Sequence, residues 1–222
     1  MYYDVVCYAD THVVLNMEEA MCARFIVLDE AEIAEMSNIV REIGLKYDGK
    51  GLSMKIGEVF PTDNAAVVAM QNSKPELCLM KWGFPKWDGK GVIINAKSET
   101  AAEKRMFSAS LKNQRCVVPS TGFFEWANVD GRIKQKFRLN FPDEPMLYMG
   151  GLYANFPESK SSESLIERFV ILTRAANSDI ADIHNRMPVV LRKNEITRWL
   201  TDLSFAAFIM KRDSERLVRA AS

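Results

Sequence analysis

The sequence predicts one α+β domain built around a mostly antiparallel β-sheet. Three observations lead to this fold class: many short β-like segments, helical periodicity in only a few stretches, and no regular strand–helix–strand rhythm. The chain has 222 residues, of which 48% are hydrophobic and 26% charged, which suffices for one sizeable core. No internal repeat or long linker divides the chain.

The helical segments follow from the spacing of apolar residues. Residues 29–43 carry apolar side chains at intervals of three and four, with Asp29 placed to cap the start and Gly44 suited to the end. Residues 100–111 have a similar pattern, and residues 194–200 and the region from 206 onwards are predicted helical to the end of the chain. Glycines at 49, 51 and 57 indicate a loop between the first helix and the sheet.

The strand segments are short apolar runs separated by turn residues. Asp130-Gly131 is a strong tight-turn signal between two of them, and the Ser/Glu/Lys-rich residues 158–165 predict a surface loop. The predicted strands are residues 65–70, 77–82, 92–96, 116–118, 123–126, 134–140, 146–153 and 169–173.

Charge is balanced overall but unevenly distributed. The chain has 29 basic and 29 acidic residues, which argues against a non-specific polyanion binder. Residues 1–40 hold eight acids and one base, whereas residues 81–115 hold eight bases and three acids. The basic stretch also contains Trp82 and Trp87, so it permits a groove where cations meet phosphates and rings stack on bases. A solvated face with core aromatics is an equally good interpretation of the pattern alone.

Cysteine and histidine usage limits the compartment and the chemistry. Four cysteines without paired spacing favour a reducing compartment, and residues 1–20 lack the Lys or Arg that begins a secretory signal. No apolar run approaches the roughly 18 residues of a membrane helix. We therefore expect a cytoplasmic protein, nucleoid-associated if bacterial. The two histidines and scattered cysteines show no metal-ligand spacing, so we predict no metal and no cofactor.

Three polar residues stand where catalytic groups are often presented. His184 lies in a polar cluster directly before an apolar run, and a functional role and a structural role are evenly balanced. Glu125 lies among aromatic residues, where burial would raise its pKa and make it a proton donor, although strand alternation favours an outward position. Asn95 follows an apolar run, where helix capping is the default expectation and orientation of a ligand the alternative.

Cys22 differs from the other cysteines because it directly follows Met21. Cys7, Cys78 and Cys116 have apolar neighbours and are predicted to be inert core thiols. If the chain began at Cys22, this residue would carry an α-amine and a thiol, both partly reactive at neutral pH. Such a pair condenses with an aldehyde first as an imine and then as a five-membered thiazolidine. An internal cysteine cannot do this because its nitrogen is an amide.

These residues belong to segments that, taken in order, resemble the SRAP (SOS response-associated peptidase) family. The resemblance covers about residues 21–200, and its specificity comes from the number and order of the segments. The matching segments are Met21-Cys22-Ala23-Arg24-Phe25, Trp82-Gly83-Phe84-Pro85-Lys86-Trp87, Asn95-Ala96-Lys97-Ser98-Glu99-Thr100, Arg105-Met106-Phe107, Arg115-Cys116, Gly122-Phe123-Phe124-Glu125-Trp126 and Asp182-Ile183-His184-Asn185-Arg186-Met187-Pro188.

The resemblance implies a fold and a set of roles. The fold would be a curled, mostly antiparallel, barrel-like β core with flanking helices. The activity would be covalent trapping of abasic sites in single-stranded DNA through an N-terminal cysteine, with associated autoproteolysis and strand-cleaving lyase activity. The implied roles are the nucleophile for Cys22, orientation of the opened sugar for Asn95, proton transfer for Glu125, crosslink formation or reversal for His184, and a DNA groove lined by Trp82, Trp87, Lys97 and Arg105.

The chain departs from the family pattern at several positions. Ala23 stands where Gly is usual, and Lys97 replaces an Arg, which keeps the charge but loses the bidentate fork. The usual Tyr-Asn-x-x-Pro pattern is altered around Glu58 and Pro61. The chain ends at Ser222, where many family members continue through another strand segment, so we expect one sheet edge to be missing or replaced.

Residues 1–20 precede the first motif and, if retained, would leave Cys22 internal. This leader holds four acids and no base, so its removal would give a net charge of +4. We expect the functional form to be a single domain, residues 21–222, that begins at Cys22 through its start site or processing. The competing interpretation is a leader that stays attached and blocks the site.

Two other functions remain open from the sequence. One is a cysteine peptidase that pairs Cys22 with His184 and uses Asn95 as orienter, which needs no free amine. The other is a non-catalytic module that binds single-stranded DNA.

Overall fold

The computed structural model describes residues 23–31, 33–129, 133–159 and 162–222, which form an α+β fold. Cys22, the leader and the predicted Asp130-Gly131 turn lie outside these residues. The strands are β1 (Phe25–Val27), β2 (Gly57–Val59), β3 (Asn64–Gln71), β4 (Lys74–Trp82), β5 (Phe84–Pro85), β6 (Val92–Ile93), β7 (Asn95–Lys97), β8 (Arg115–Ser120), β9 (Gly122–Val129), β10 (Ile133–Asn140), β11 (Leu147–Pro157), β12 (Leu165–Ala175), β13 (Arg186–Pro188), β14 (Val190–Leu191) and β15 (Val218–Ala221). The α-helices are α1 (Ala34–Lys46), α2 (Arg105–Asn113), α3 (Ile196–Thr201) and α4 (Leu203–Lys211), and a 3₁₀ turn covers Lys193–Glu195.

Five strands close into a barrel, which confirms the predicted barrel-like β core. Going round it, β12 pairs with β4, β4 with β3, β3 with β8, β8 with β11, and β11 with β12 again. All these pairings are antiparallel except β12 with β4. Closure leaves these five strands without free edges, and the apolar residues that predicted them fill the core.

A second sheet packs beside the barrel in the strand order β15–β10–β9–β1–β2. It contacts the barrel through aromatic side chains. Phe25 of β1 lies 5.1 Å, ring centroid to centroid, from Trp82 at the end of β4. Both rings are fully buried, so the second sheet shares one apolar core with the barrel.

The C-terminal half of β12 is the junction that brings distant motifs together. On one side it pairs in parallel with β7, where Lys97 lies opposite Thr173. On the other side it pairs antiparallel with β13, where Pro188 lies opposite the same Thr173. The segments around Asn95 and His184, far apart in sequence, are therefore neighbours of one strand.

Several predicted boundaries were wrong. The first helix begins at Ala34 rather than Asp29, with Ile33 at the N-cap position and no side-chain cap. It continues past Gly44 to Lys46, because its C-terminal end is anchored on β4. Lys46 Nζ donates to the Leu77 carbonyl (2.7 Å), and the hydroxyl of the next residue, Tyr47, accepts from the Leu79 amide (3.0 Å).

The second helix and the C-terminus also differ from the prediction. Helix α2 begins at Arg105, because residues 100–104 form turns closed by the Thr100 carbonyl. The chain does not end in a helix. Its last residues form β15, which pairs with β10 and forms one edge of the second sheet, where an edge was expected to be missing or replaced.

Among the described residues, no helix is long and apolar enough to cross a bilayer.

Cys78 and Cys116 are buried, and burial raises the pKa of both thiols, in agreement with their prediction as inert core cysteines.

Gly150 and Gly44 provide a matched test of the packing. A Cβ at Gly150 of β11 would lie 2.8 Å from Cζ2 of Trp199, which is fully buried and held by an indole hydrogen bond to the Cys116 carbonyl. We expect Gly150→Ala to lower the free energy of unfolding by about 1–3 kcal/mol through overpacking. Gly44 lies in α1 with open space around it, so Gly44→Ala should raise that free energy by about 0.5–1 kcal/mol.

Urea denaturation of the two variants measures both effects. Equal stability of Gly150→Ala and the unsubstituted protein would contradict the packing described around Trp199.

Candidate functional site

Three of the predicted site residues line one cleft between β7 and the start of α2. The cleft has a volume of about 460 Å³. Its lining residues are Ile93, Asn95, Lys97, Lys104, Arg105, Met106 and Phe107. Lys97, Lys104 and Arg105 are exposed at its rim, whereas Phe107 is buried beneath it. The cleft therefore has an apolar floor and a cationic rim, which suits a sugar or base bearing a phosphate.

Asn95 is presented by strand pairing and not by helix capping. It is the first residue of β7 and lies opposite Ile171 of β12. The N-cap position of α2 is occupied by Lys104, nine residues further along. The default expectation that Asn95 caps a helix was therefore wrong, and its half-buried amide faces the cleft instead.

Trp82 was predicted to line a DNA groove, and this prediction was wrong. Its side chain is fully buried, so no base can stack on it. The indole N–H donates to the Ile94 carbonyl (3.1 Å), and the ring stacks on Phe169 with centroids 6.2 Å apart. Trp82 therefore supports the strand that presents Asn95 and is not itself part of a binding surface.

Trp87, in contrast, is 95% exposed. It lies on the turn between β5 and β6, which is closed by hydrogen bonds from the Lys86 amide to the Gly91 carbonyl (3.1 Å) and from the Gly89 amide to the Lys86 carbonyl (2.9 Å). Lys86 and Lys90 on the same turn are also exposed. A ring held on a tight cationic turn is well placed to stack on a base.

Glu125 lies in the second sheet, and its inward position differs from the outward one that strand alternation favoured. It is 3% exposed and lies opposite Phe137 of β10. Its neighbour Phe124 is also buried, because the outer face of β9 is covered by other side chains. Sequence alternation failed here because both faces of this strand are covered.

The covering side chains form a cluster that sequence reasoning missed. Glu58 forms ion pairs with Arg24 (3.5 Å) and with Lys136. The Arg24 guanidinium lies 4.9 Å from the Trp126 ring centroid, and Lys136 Nζ lies 3.8 Å from the Phe124 centroid. Glu58 marks the departure from the family's Tyr-Asn-x-x-Pro pattern. Here it balances two cations that stack on the aromatics of β9, and Arg24 is two residues from Cys22.

His184 closes a turn that leads into β13. The turn is held by hydrogen bonds from the Ile183 and His184 amides to the Ile180 carbonyl (2.7 and 2.9 Å). The Arg186 amide donates to His184 Nδ1 (3.1 Å). The half-buried ring therefore has Nδ1 engaged by the backbone, while its Nε2 makes no hydrogen bond to the described residues.

An ion pair joins the segment of His184 to the segment of Asn95. The Arg186 guanidinium donates to both carboxylate oxygens of Glu99 (2.5 and 2.7 Å) and to the Thr173 carbonyl (2.7 Å). These hydrogen bonds hold the pKa of Glu99 at about 2, below its ordinary 4.5, although partial burial opposes the shift. The structure thus brings together Asn95, Lys97 and Arg105 in the cleft, and ties the turn of His184 to the same strand region.

The sequence and the fold of this chain resemble those of known proteins. The model of the SOS response associated peptidase (SRAP) family matches residues 21–216. The abasic site processing protein YoqW of Bacillus subtilis is 30% identical over 188 residues, which cover 81% of this chain and 80% of that protein. The abasic site processing protein YedK of Escherichia coli is 30% identical over 183 residues, with 81% and 79% covered. A crystal structure of a Bacteroides thetaiotaomicron protein superposes with a TM-score of 0.74 at 25% identity, covering 90% of this chain and 91% of that one.

The Arg186–Glu99 pair predicts a pH-dependent contribution to stability. Because the pKa of Glu99 is lowered on folding, the pair stabilises the protein above about pH 4.5, and this contribution is lost as the pH falls towards 2. Glu99→Gln should lower the free energy of unfolding by about 1 kcal/mol or less near neutral pH, because Glu99 is half exposed. The difference should shrink on acidification.

Denaturant titrations from neutral to acid pH measure this difference. Glu103→Gln is the matched control, since Glu103 is exposed and makes no described ion pair. A Glu99→Gln effect that stays constant down to pH 2 would contradict the assignment.

Proposed function

The chain belongs to the SOS response associated peptidase family, and we propose that it processes abasic sites in single-stranded DNA by forming a covalent thiazolidine crosslink through Cys22. Relatives that share about 80% of their length with this chain are named abasic site processing proteins. The observation that carries the proposal is the cleft of β7 and α2, where an amide, an apolar floor and a cationic rim meet.

The proposed reaction needs two groups on one residue. The α-amine of Cys22 attacks the aldehyde of the ring-opened deoxyribose, and water leaves as the imine forms. The thiol of Cys22 then adds to the imine carbon, its proton passes to nitrogen, and a thiazolidine results. Selectivity comes from the aldehyde itself, so no base readout is required.

The remaining residues are assigned supporting roles in this proposal. Asn95 orients the opened sugar from the cleft, where its amide offers both a donor and an acceptor. Glu125 transfers protons, and its burial beside the second sheet's aromatics supports an acid kept away from bulk water. His184 assists formation or reversal of the crosslink through the ring nitrogen that the Arg186 amide leaves available.

Single-stranded DNA is proposed to bind along the cationic rim. Lys97 and Arg105 would contact phosphates, and Trp87 would stack on a base next to the abasic site. Lys97 offers a point charge where the family has an arginine fork. We also extend the proposal to autoproteolytic exposure of Cys22 and to lyase cleavage at the trapped site.

The proposal requires that residues 1–20 be absent from the active form. The family match begins at Met21, which supports a functional domain that starts at Cys22. Loss of the leader removes four acids and leaves a net charge of +4, which favours DNA binding. The active protein would act in the cytoplasm, in contact with DNA.

Three N-terminal variants test the covalent step. Protein that begins at Cys22 is incubated with an oligonucleotide containing one abasic site and resolved on a denaturing gel. We expect a shifted, denaturant-resistant band. A variant with one glycine before Cys22, shown by mass spectrometry to have kept that glycine, has the thiol but an amide nitrogen, and we expect it to form no band. Cys22→Ser keeps the amine and should give only an adduct that needs borohydride reduction to survive.

The same assay distinguishes the alternatives. A band of equal intensity from the glycine-extended variant would refute the thiazolidine and favour thiol chemistry alone. Equal affinity for intact and abasic strands without any covalent product would favour a non-catalytic DNA-binding module.

Trp87 and Lys97 should affect DNA binding in different ways. Trp87→Ala should weaken binding of intact single-stranded DNA by about 1–3 kcal/mol, because a stacked base is lost. Lys97→Ala should lower the slope of log affinity against log salt by about 0.7, because one phosphate contact is lost. Fluorescence anisotropy at several salt concentrations measures both quantities.

Two exposed residues away from the cleft serve as controls. Phe208→Ala on α4 and Lys74→Ala on the β3–β4 hairpin should leave affinity and salt slope unchanged. A Trp87→Ala variant with unaltered affinity would remove the turn from the proposed interface.

A further inference from the structure

We propose that Arg186 is a positioning residue for His184: its guanidinium ties the histidine turn to the Asn95–Lys97 segment, and its backbone N–H determines which imidazole nitrogen carries the proton. The test by crosslinking rate rests on the proposed function. The contacts of Arg186 do not depend on it, because they lie within the described residues.

The guanidinium links β13, on which Arg186 lies, to two other elements. It donates to both oxygens of Glu99, which follows β7, and to the carbonyl of Thr173 near the C-terminal end of β12. The Ser98 amide donates to the same Thr173 carbonyl (2.8 Å). Only 13% of the Arg186 side chain is exposed, so this planar fork is held in one orientation.

The backbone of the same residue acts on the histidine ring. The Arg186 N–H donates to His184 Nδ1 at 3.1 Å, so Nδ1 must offer a lone pair. Neutral His184 therefore carries its proton on Nε2. In this tautomer Nε2, which makes no hydrogen bond to the described residues, is a donor suited to hold a sugar oxygen or to deliver a proton.

The opposite side of the turn is anchored separately. Arg219 of β15 binds both oxygens of Asp182 (2.8 and 2.7 Å), and the Leu217 amide donates to Asp179 (3.0 Å). These contacts hold the turn to the C-terminal segment but do not reach β7. Among the described side chains, the connection between the histidine turn and the segment of Asn95 is thus made by Arg186 and Glu99.

A positioning role and a purely structural role predict different outcomes. Because Glu99 is half exposed, Glu99→Gln should change global stability little. If the pair sets the placement of His184, the crosslinking rate should fall about 10- to 100-fold in Arg186→Ala and to a smaller extent in Glu99→Gln. The double variant should be no slower than Arg186→Ala alone, because both substitutions break one connection.

Nitrogen NMR of the imidazoles gives a readout that stability does not control. Protein that begins at Cys22 lacks His12, so its imidazole signals belong to His184. Under mildly alkaline conditions we expect neutral His184 to show the Nε2–H tautomer in the unsubstituted protein. Arg186→Ala and Glu99→Gln should show a mixture of tautomers. Lys193→Ala removes the exposed Lys193–Glu35 pair (2.7 Å) and should leave the tautomer and the rate unchanged.

The outcomes separate this inference from the proposed function. A predominant Nδ1–H tautomer in the unsubstituted protein, or unchanged tautomer and rate in folded Arg186→Ala, would overturn the positioning role. Should Arg186→Ala fail to fold, Glu99→Gln decides the matter by the same two measurements. If the unsubstituted protein forms no crosslink at all, the proposed function fails, while the NMR arm still tests the positioning of His184.

Discussion

The buried indole of Trp82 is the contact on which the candidate site depends. It packs against Phe25 of β1, stacks on Phe169 of β12 and donates a hydrogen bond to the carbonyl that precedes Asn95. One ring therefore fixes three strands: β1, which begins three residues after Cys22, β7, which presents the Asn95 amide, and β12, which pairs with both site segments. A smaller side chain would leave a cavity and an unpaired Ile94 carbonyl at the point where these strands meet.

Strand pairing around that contact brings motifs that are distant in sequence next to one another. The parallel pairing of β7 with β12 and the antiparallel pairing of β13 with β12 place the segments of Asn95 and His184 on either side of Thr173. Ion pairs add to this arrangement. Arg186 bridges the two segments through Glu99, and Glu58 holds Arg24 over the aromatics of β9. The pairing leaves a cationic cleft over an apolar floor, which matches the chemistry of a DNA sugar and its phosphates.

The local pattern of apolar residues in the sequence predicted the strands well but predicted the burial of individual side chains poorly. The apolar runs predicted the barrel strands because closure buries their inner faces, while helices and the second sheet cover parts of their outer faces. Trp82 and Trp87 lie five residues apart in one basic stretch, yet one is fully buried and the other almost fully exposed. That difference arises from the turn at residues 86–91 and from the rings of Phe25 and Phe169, which come from distant segments. The inward position of Glu125 and the edge strand β15 likewise depend on partners that no short window of sequence contains.

The most direct test of the account is the identity of the atoms joined in the covalent product. Peptide mass spectrometry of the unreduced adduct should find the deoxyribose remnant on the peptide that begins with Cys22, at the mass of peptide plus sugar less one water. Fragmentation should place both new bonds on that residue. An adduct on any lysine, or an active protein that still begins at Met1, would contradict the claim.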